Sequence, residues 1–338
     1  MGFDLKNRRV PASYRREAML SPWSLPAEKP FLGMSFEKFG PVRRSSRGVR
    51  DVWDAMSPFV DDRGILFGVN DSTAKDMVKW YDLAYYVWRD PRYASVIRGS
   101  DRRDLVYGVG ESPEPPERHD AESVYADNAG IALLRSRKQD GSPSSRLQAV
   151  VKYGSHGGYH GHFDRAGLVA LMRSGRNAIG PLSSWFGYHS FMFKMWVQAS
   201  MSHNMVVVDQ RMQEPVPSKR PLFHNGVVLN VCAVETSARW SDPPYGGQTP
   251  YPETFPEERS LIEGRDVPVP AVRRSQGEIG AYSEPVLQRR LVAVTDDYVV
   301  VADYLRGSRC IRSTACIITR DFKTWRRGVN GIFVIQEK

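Results

Sequence analysis

Cysteine is scarce in this chain: three in 338 residues, at Cys232, Cys310 and Cys316. So few thiols exclude a disulfide framework and a four-cysteine zinc site. No stretch approaches ~18 uncharged apolar residues, which excludes a membrane-spanning helix. The opening MGFDLKNRR has no apolar h-region, so no signal peptide is visible. No internal repeat and no long low-complexity tract interrupts the chain. What remains is an ordinary globular composition, 41% apolar and 25% charged, enough for one large or two medium cores.

The net charge of +9 is unevenly spread. Residues 1–50 hold 11 Lys/Arg and 4 Asp/Glu, a balance of +7; the other 288 hold 36 and 34, a balance of +2. The surplus reads either as a solvated leader or as an arm for a polyanion. No nucleic-acid-binding motif accompanies it, so nucleic acid is not an expected partner.

Along the chain the grammar changes twice. Residues 1–48 carry Pro11, Pro22, Pro26, Pro30 and Pro41 amid arginines and read as an irregular basic leader. From Val49, helical spacing of Val49, Val52, Trp53, Met56 and Val60 predicts a short amphipathic helix. A second helix is expected from Ala74 to about Arg89, capped by Thr73 and stopped by Pro91, with a short third over Arg92–Ile97. Residues 49–111 thus form a helical segment, closed by the proline-rich connector ESPEPPERHD. Beyond it, residues 120–338 turn to period two. In RLQAVVKYG, Leu147, Ala149, Val151 and Tyr153 alternate with Arg146, Gln148, Val150 and Lys152. HNMVVVDQ, GVVLNVCAVETSARW and the hairpin RRLVAVTDDYVVVADYLRG, turning at Asp296–Asp297, continue the pattern. The stretch about 241–285 is a Pro/Gly-rich excursion. The expected class is α+β, helical first and then a large antiparallel β-sandwich.

Chemistry concentrates in YGSHGGYHGHFDR, which holds His156, His160 and His162 of the seven histidines. On a strand, His160 and His162 would share a face, and Asp164 would continue it. Gly157, Gly158 and Gly161 would let a ligand approach the backbone. His203, in MSHNMVVVD, is a fourth candidate. Two same-face histidines plus a distant one suit zinc, and equally a hydrogen-bonded polar turn at a sheet rim.

These two segments, with WVQASMSHNMVVVDQRMQ completing the second, resemble the heparinase II/III-like polysaccharide lyases, whose pattern runs HGGxHGHxD, then an HN-T-V-V-V-D strand and a Gln. FGVNDS resembles the loop before the last helices of that family. The resemblance covers roughly 49–325 and is most specific at 153–213. It implies a helical (α/α)-toroid remnant over 49–111, followed by the sandwich over 120–338, from a chain whose N-terminal part is incomplete. It implies β-elimination at a uronic acid of an acidic polysaccharide such as a glycosaminoglycan or alginate, and a periplasmic or extracellular location.

Carried over by position, His160 matches the histidine that faces substrate, with a role in proton transfer or carboxylate contact. His162 and His203 match ligands of the family's structural zinc. The third ligand there is an Asp, and Gly180 stands in its place; Asp164 is the nearby carboxylate that could substitute. Tyr188 matches a tyrosine that shares the chemistry, Trp185 is a candidate for stacking on a sugar, and His156 for substrate contact. His119 and His224 read as polar-loop residues. No toroid base is found in residues 1–48, where Tyr14 is the one tyrosine. The alternative is a non-catalytic carbohydrate-binding β-sandwich that keeps the fold.

Overall fold

A computed structural model describes residues 43–61, 63–97, 122–137, 146–156, 160–173, 176–179, 193–241 and 283–308, with the backbone of three short C-terminal strands. The leader 1–42, the connector near 112–120 and most of the 241–285 excursion lie outside the described residues, as do Gly180, Trp185 and Tyr188. The protein is mostly antiparallel sheet with few helices. Every described strand pairing is antiparallel.

Helix α1 (Arg43–Met56) buries Trp53 and Met56, as its spacing predicts. The two-residue strands β1 (Ile65–Leu66) and β2 (Lys75–Asp76) then pair across a loop. Helix α2 (Val78–Trp88) starts four residues later than expected. Thr73 is not its cap: Lys75 and Asp76 are held in β2, and the Asp76 carboxylate accepts the Val78 N–H at 3.0 Å. Arg89 closes the helix in the left-handed region (φ 51°), and Pro91 opens α3 (Pro91–Ile97), where its fixed φ fits the first turn. No helix among the described residues is long and apolar enough to cross a membrane.

The first large sheet contains β3 (Val124–Ala126), β4 (Ile131–Arg135), β5 (Gln148–Lys152), β6 (Gly167–Arg173) and β7 (Arg176–Ile179), in that order. Short β8 (Val206–Val208) and β9 (Met212–Gln213) follow. The second large sheet orders β10 (Lys219–Asn225), β11 (Asn230–Ala238), β13 (Val286–Val294) and β14 (Val299–Arg306), with β12 (Trp240–Ser241) paired to β9. The hairpin β13–β14 turns at Asp296–Asp297, as expected. His224 is exposed, but on β10 rather than in a loop, paired opposite Val231.

Side-chain alternation on the first sheet feeds two cores. Ile131, Leu133 and Val150 face the helices and pack with Trp53, Phe59, Tyr81 and Tyr93. Ala132, Leu134, Ala149 and Val151 face the second sheet and meet Cys232, Val234, Val292 and Val294. Burying each such Leu or Val contributes about 1.5–3 kcal/mol. The period-two phase of β5 holds, and both of its faces are buried. Its polar residues Arg146, Gln148 and Lys152 are buried too, because that side is covered by the helical segment. Buried Arg135 ties the same layers, donating to the carbonyls of Pro58 and Val60 at 2.8 and 3.0 Å.

Candidate functional site

The histidine motif does not run as a strand. His160 sits in a short turn, residues 161–166 form a loop, and β6 begins only at Gly167. Gly161 causes the difference: a Cβ there would collide with the His156 carbonyl oxygen, so the chain folds back on itself instead of extending. Gln213 anchors this loop from outside. Its amide accepts the Arg165 N–H at 2.8 Å and donates to the Arg165 carbonyl at 3.2 Å, while Ser200 Oγ donates to Phe163 O at 2.5 Å.

Although alternation on a strand is not the reason, His160 and His162 do converge, on a carboxylate from the helical segment. Asp71 Oδ2 lies 2.7 Å from His160 Nδ1, and Oδ1 lies 2.9 Å from His162 Nε2. Asp71 arrives on the tight loop between β1 and β2. Asn70 takes the left-handed conformation there (φ 54°), which Asn tolerates well, and Ser72 N–H closes a turn on Val69 O at 3.0 Å. Gly68 lets this loop close, since a Cβ on it would strike Ser72 O. The His162 ring continues to His203, Nδ1 to Nε2 at 2.9 Å, and His203 Nδ1–H donates to Ala199 O at 2.7 Å.

Below the histidines lies a buried ion pair. Lys152 Nζ donates to Asp164 Oδ1 at 2.5 Å and also to Asn70 Oδ1. Arg165 stands 3.4 Å from the same carboxylate oxygen and donates to His162 O at 2.6 Å. Burial pulls Lys152 down to about 7, although Asp164 opposes this. For Asp164, burial acts upward, but Lys152, then His203 and Arg165, outweigh it and hold the carboxyl well below the usual range. Burial also lowers His162, and takes His203 to about 4. A small pocket opens beside this group, lined by Asn70, His162, Asp164, His203 and Asn204 among others.

His160 is the outward end of the assembly, its side chain 35% exposed against 3% for His162. His156 stands apart from the histidine chain. Its ring packs on Phe163 with centroids 4.7 Å apart, its Nε2 is buried without a partner, and burial beside Arg165 lowers it to about 3. Asp164 is not a hydrogen-bonding orienter of a ring: its Oδ2 is 3.8 Å from His203 Nε2, and its other oxygen serves Lys152. Sequence reasoning missed Asn70, Asp71, Lys152 and the role of Gln213. FGVNDS and the terminal Gln were visible as motif-like segments, but neither carried a stated role.

Zinc would need His162, His203 and further ligands around one point. Ala199 O and an ionised Asp71 only accept, so the outer nitrogens of the His162–His203 pair carry hydrogen. The two inner nitrogens then meet at 2.9 Å and need one hydrogen or a cation between them. Among the described residues, no group of three or more His, Cys, Asp or Glu is placed to hold a metal ion. Two nitrogens beside a carboxylate already held by lysine do not complete a tetrahedral site.

The fold has solved counterparts. The chain is similar to a heparinase III (16% identity, TM-score 0.52), with 79% of this chain and 33% of that one covered. A mutant of the heparan sulfate lyase HepC from Pedobacter heparinus gives 14% identity and TM-score 0.52, over 78% of this chain and 33% of that one. A further heparinase III structure gives 13% identity and TM-score 0.50, over 78% and 35%. At such identities the likeness is one of fold, and the chain spans about a third of the length of these structures. No family model and no curated protein matches it.

Proposed function

We propose that this chain carries part of a polysaccharide lyase site that cleaves a uronic-acid-containing acidic polysaccharide by β-elimination. One observation carries the reading: on a heparinase-like fold, a half-exposed histidine, His160, is held at the mouth of a buried His–Asp–Lys assembly. In this reading residues 49–111 are the end of an (α/α) toroid, 120–338 a β-sandwich, and 1–48 a basic leader.

The reaction needs the sugar carboxylate neutralised, the C5 proton removed and the leaving oxygen protonated. His160 accepts the C5 proton on its free-base nitrogen. The C5–H electron pair becomes the C4–C5 double bond, the C4–O bond breaks with its electrons on oxygen, and an acid protonates that oxygen. Imidazole suits the first task because its ordinary pKa of ~6.5 lies near working pH. Tyr188 is assigned the acid's role, Trp185 and His156 substrate contact. His162 and His203 belong to a structural zinc only if a third ligand comes from outside the described residues.

The test is incubation with a panel of acidic polysaccharides while following the ultraviolet absorbance of the unsaturated product. Absorbance should rise with at least one polymer, and His160→Ala should lower the rate by about 10²-fold or more. Polymer binding with no absorbance gain supports the second reading, a non-catalytic carbohydrate-binding sandwich, which Gly180 in place of the family's Asp favours. Metal analysis reads the zinc separately: one zinc per chain, lost in His203→Ala, supports it, and none removes it.

A further inference from the structure

We infer that Asp71 is a positioning residue for His160, and that the helical segment thereby sets which nitrogen of that histidine does the chemistry. The inference rests on the lyase reading for its catalytic part and on geometry alone for its structural part. An ionised carboxylate only accepts, so the ring nitrogen facing it at 2.7 Å carries the hydrogen. With hydrogen on Nδ1, a neutral His160 has its lone pair on Nε2, across the ring from Asp71. When Nε2 takes the substrate proton, the imidazolium that forms is already paired with a carboxylate.

What separates this from a chance surface contact is how firmly Asp71 is itself held. Its Oδ1 faces buried His162 Nε2 at 2.9 Å, with Gln198 Nε2 at 3.5 Å, so the carboxylate cannot swing away with His160. Asn70, its neighbour, accepts from Lys152 Nζ and from the His162 backbone N–H at 3.3 Å. The loop carrying Asp71 is therefore bound to four residues of the site, Lys152, His160, His162 and Gln198, while its ends run into β1 and β2 beside the helices. Asp71 is 6% exposed, and its two oxygens serve one half-exposed and one buried ring. It aligns the outer histidine against the inner one.

The experiment is histidine side-chain ¹⁵N spectroscopy on the full chain labelled at histidine, with His160→Gln supplying the assignment. Wild-type His160 should show hydrogen on Nδ1, and Asp71→Ala should return it towards the form with hydrogen on Nε2, which imidazole in water favours. A wild-type His160 with hydrogen on Nε2, or an unchanged signal in the variant, overturns the inference. Asp71→Asn, which keeps the shape without the charge, guards against a folding failure of the alanine variant. It should melt as a folded protein and, on a polymer the wild type cleaves, lower kcat by on the order of 10²-fold with KM within about threefold. Full kcat in Asp71→Asn also overturns the positioning role. Should the wild type cleave no polymer, the lyase reading fails, and the spectra still decide the assignment of Asp71.

Discussion

The helical segment takes part in two ionic clusters that use the same residue types and differ in burial. One joins the helices: Arg50 and Arg92 hold Asp90 at 2.6 Å each, and Arg92 and the Tyr93 hydroxyl reach Asp54 at 3.2 and 2.6 Å. Its arginines are about 40% exposed. The other meets the sheet, where Lys152 and Asp164 are 4% and 5% exposed under the histidines. In the first, the arginine heads reach water while Asp90 and Asp54 are 9% and 11% exposed, and Asp90 has two arginine partners, so one arginine can be lost cheaply. In the second, a charge without its partner has no solvent to turn to. Exposure, rather than the number of ion pairs, decides which cluster the fold depends on.

Lys152→Met should damage the fold most. It leaves Asp164 buried without its lysine and should cost about 3–5 kcal/mol in denaturant unfolding, with little change in 1 M salt. Adding Asp164→Asn should recover part of that loss, because the stranded charge is then gone. If the single variant loses under about 1 kcal/mol, the buried pair is no more important than the exposed one.

Acid should separate the two regions by pH window. His156 has a folded value of about 3 against an unfolded ~6.5, so the unfolded chain binds more protons between those values. Stability from that site is full above pH ~6.5 and falls as pH drops towards 3, by about 2 kcal/mol between pH 6.5 and 5. Chemical denaturation of His156→Phe across that range should show a slope shallower by about one proton. Asp90 is held down to about 2, chiefly by the Arg92 hydrogen bond and against burial. Its contribution is present above ~3.9 and lost only as pH falls from there towards 2. The helical network should thus outlast the histidine region as pH falls.

The smallest effect is expected from Arg92→Ala. Arg50 still faces Asp90, so the loss should be at most about 1 kcal/mol at low ionic strength and smaller in 0.5 M salt. A loss of 3 kcal/mol would erase the distinction between the clusters.

Much of the architecture was legible in the residues. The helical face of Trp53 and Met56, the apolar strands, and the Asp296–Asp297 hairpin follow from periodicity and turn chemistry. The grouping of His160, His162 and His203 was legible from motif spacing, though through a wrong local geometry. The late start of α2 was not, because Lys75 and Asp76 are claimed by a strand partner ten residues away in sequence. Lys152 could be placed on one face of an alternating strand, but its burial could not be read, since its covering layer comes from residues about 80 positions earlier. Asp71 read as a loop aspartate for the same reason.

The order of helix and strand, the residues able to form two cores, and the chemical types crowded at 153–213 are written in the residues, because periodicity, turn residues and side-chain chemistry are local properties. Tertiary structure alone decided that the polar face of β5 would be buried, that Lys152 would pair with Asp164, and that Asp71 would meet His160 and His162. Those outcomes depend on which surfaces close over which, and both the desolvation of a charge and the reach of a hydrogen bond exist only once distant segments touch.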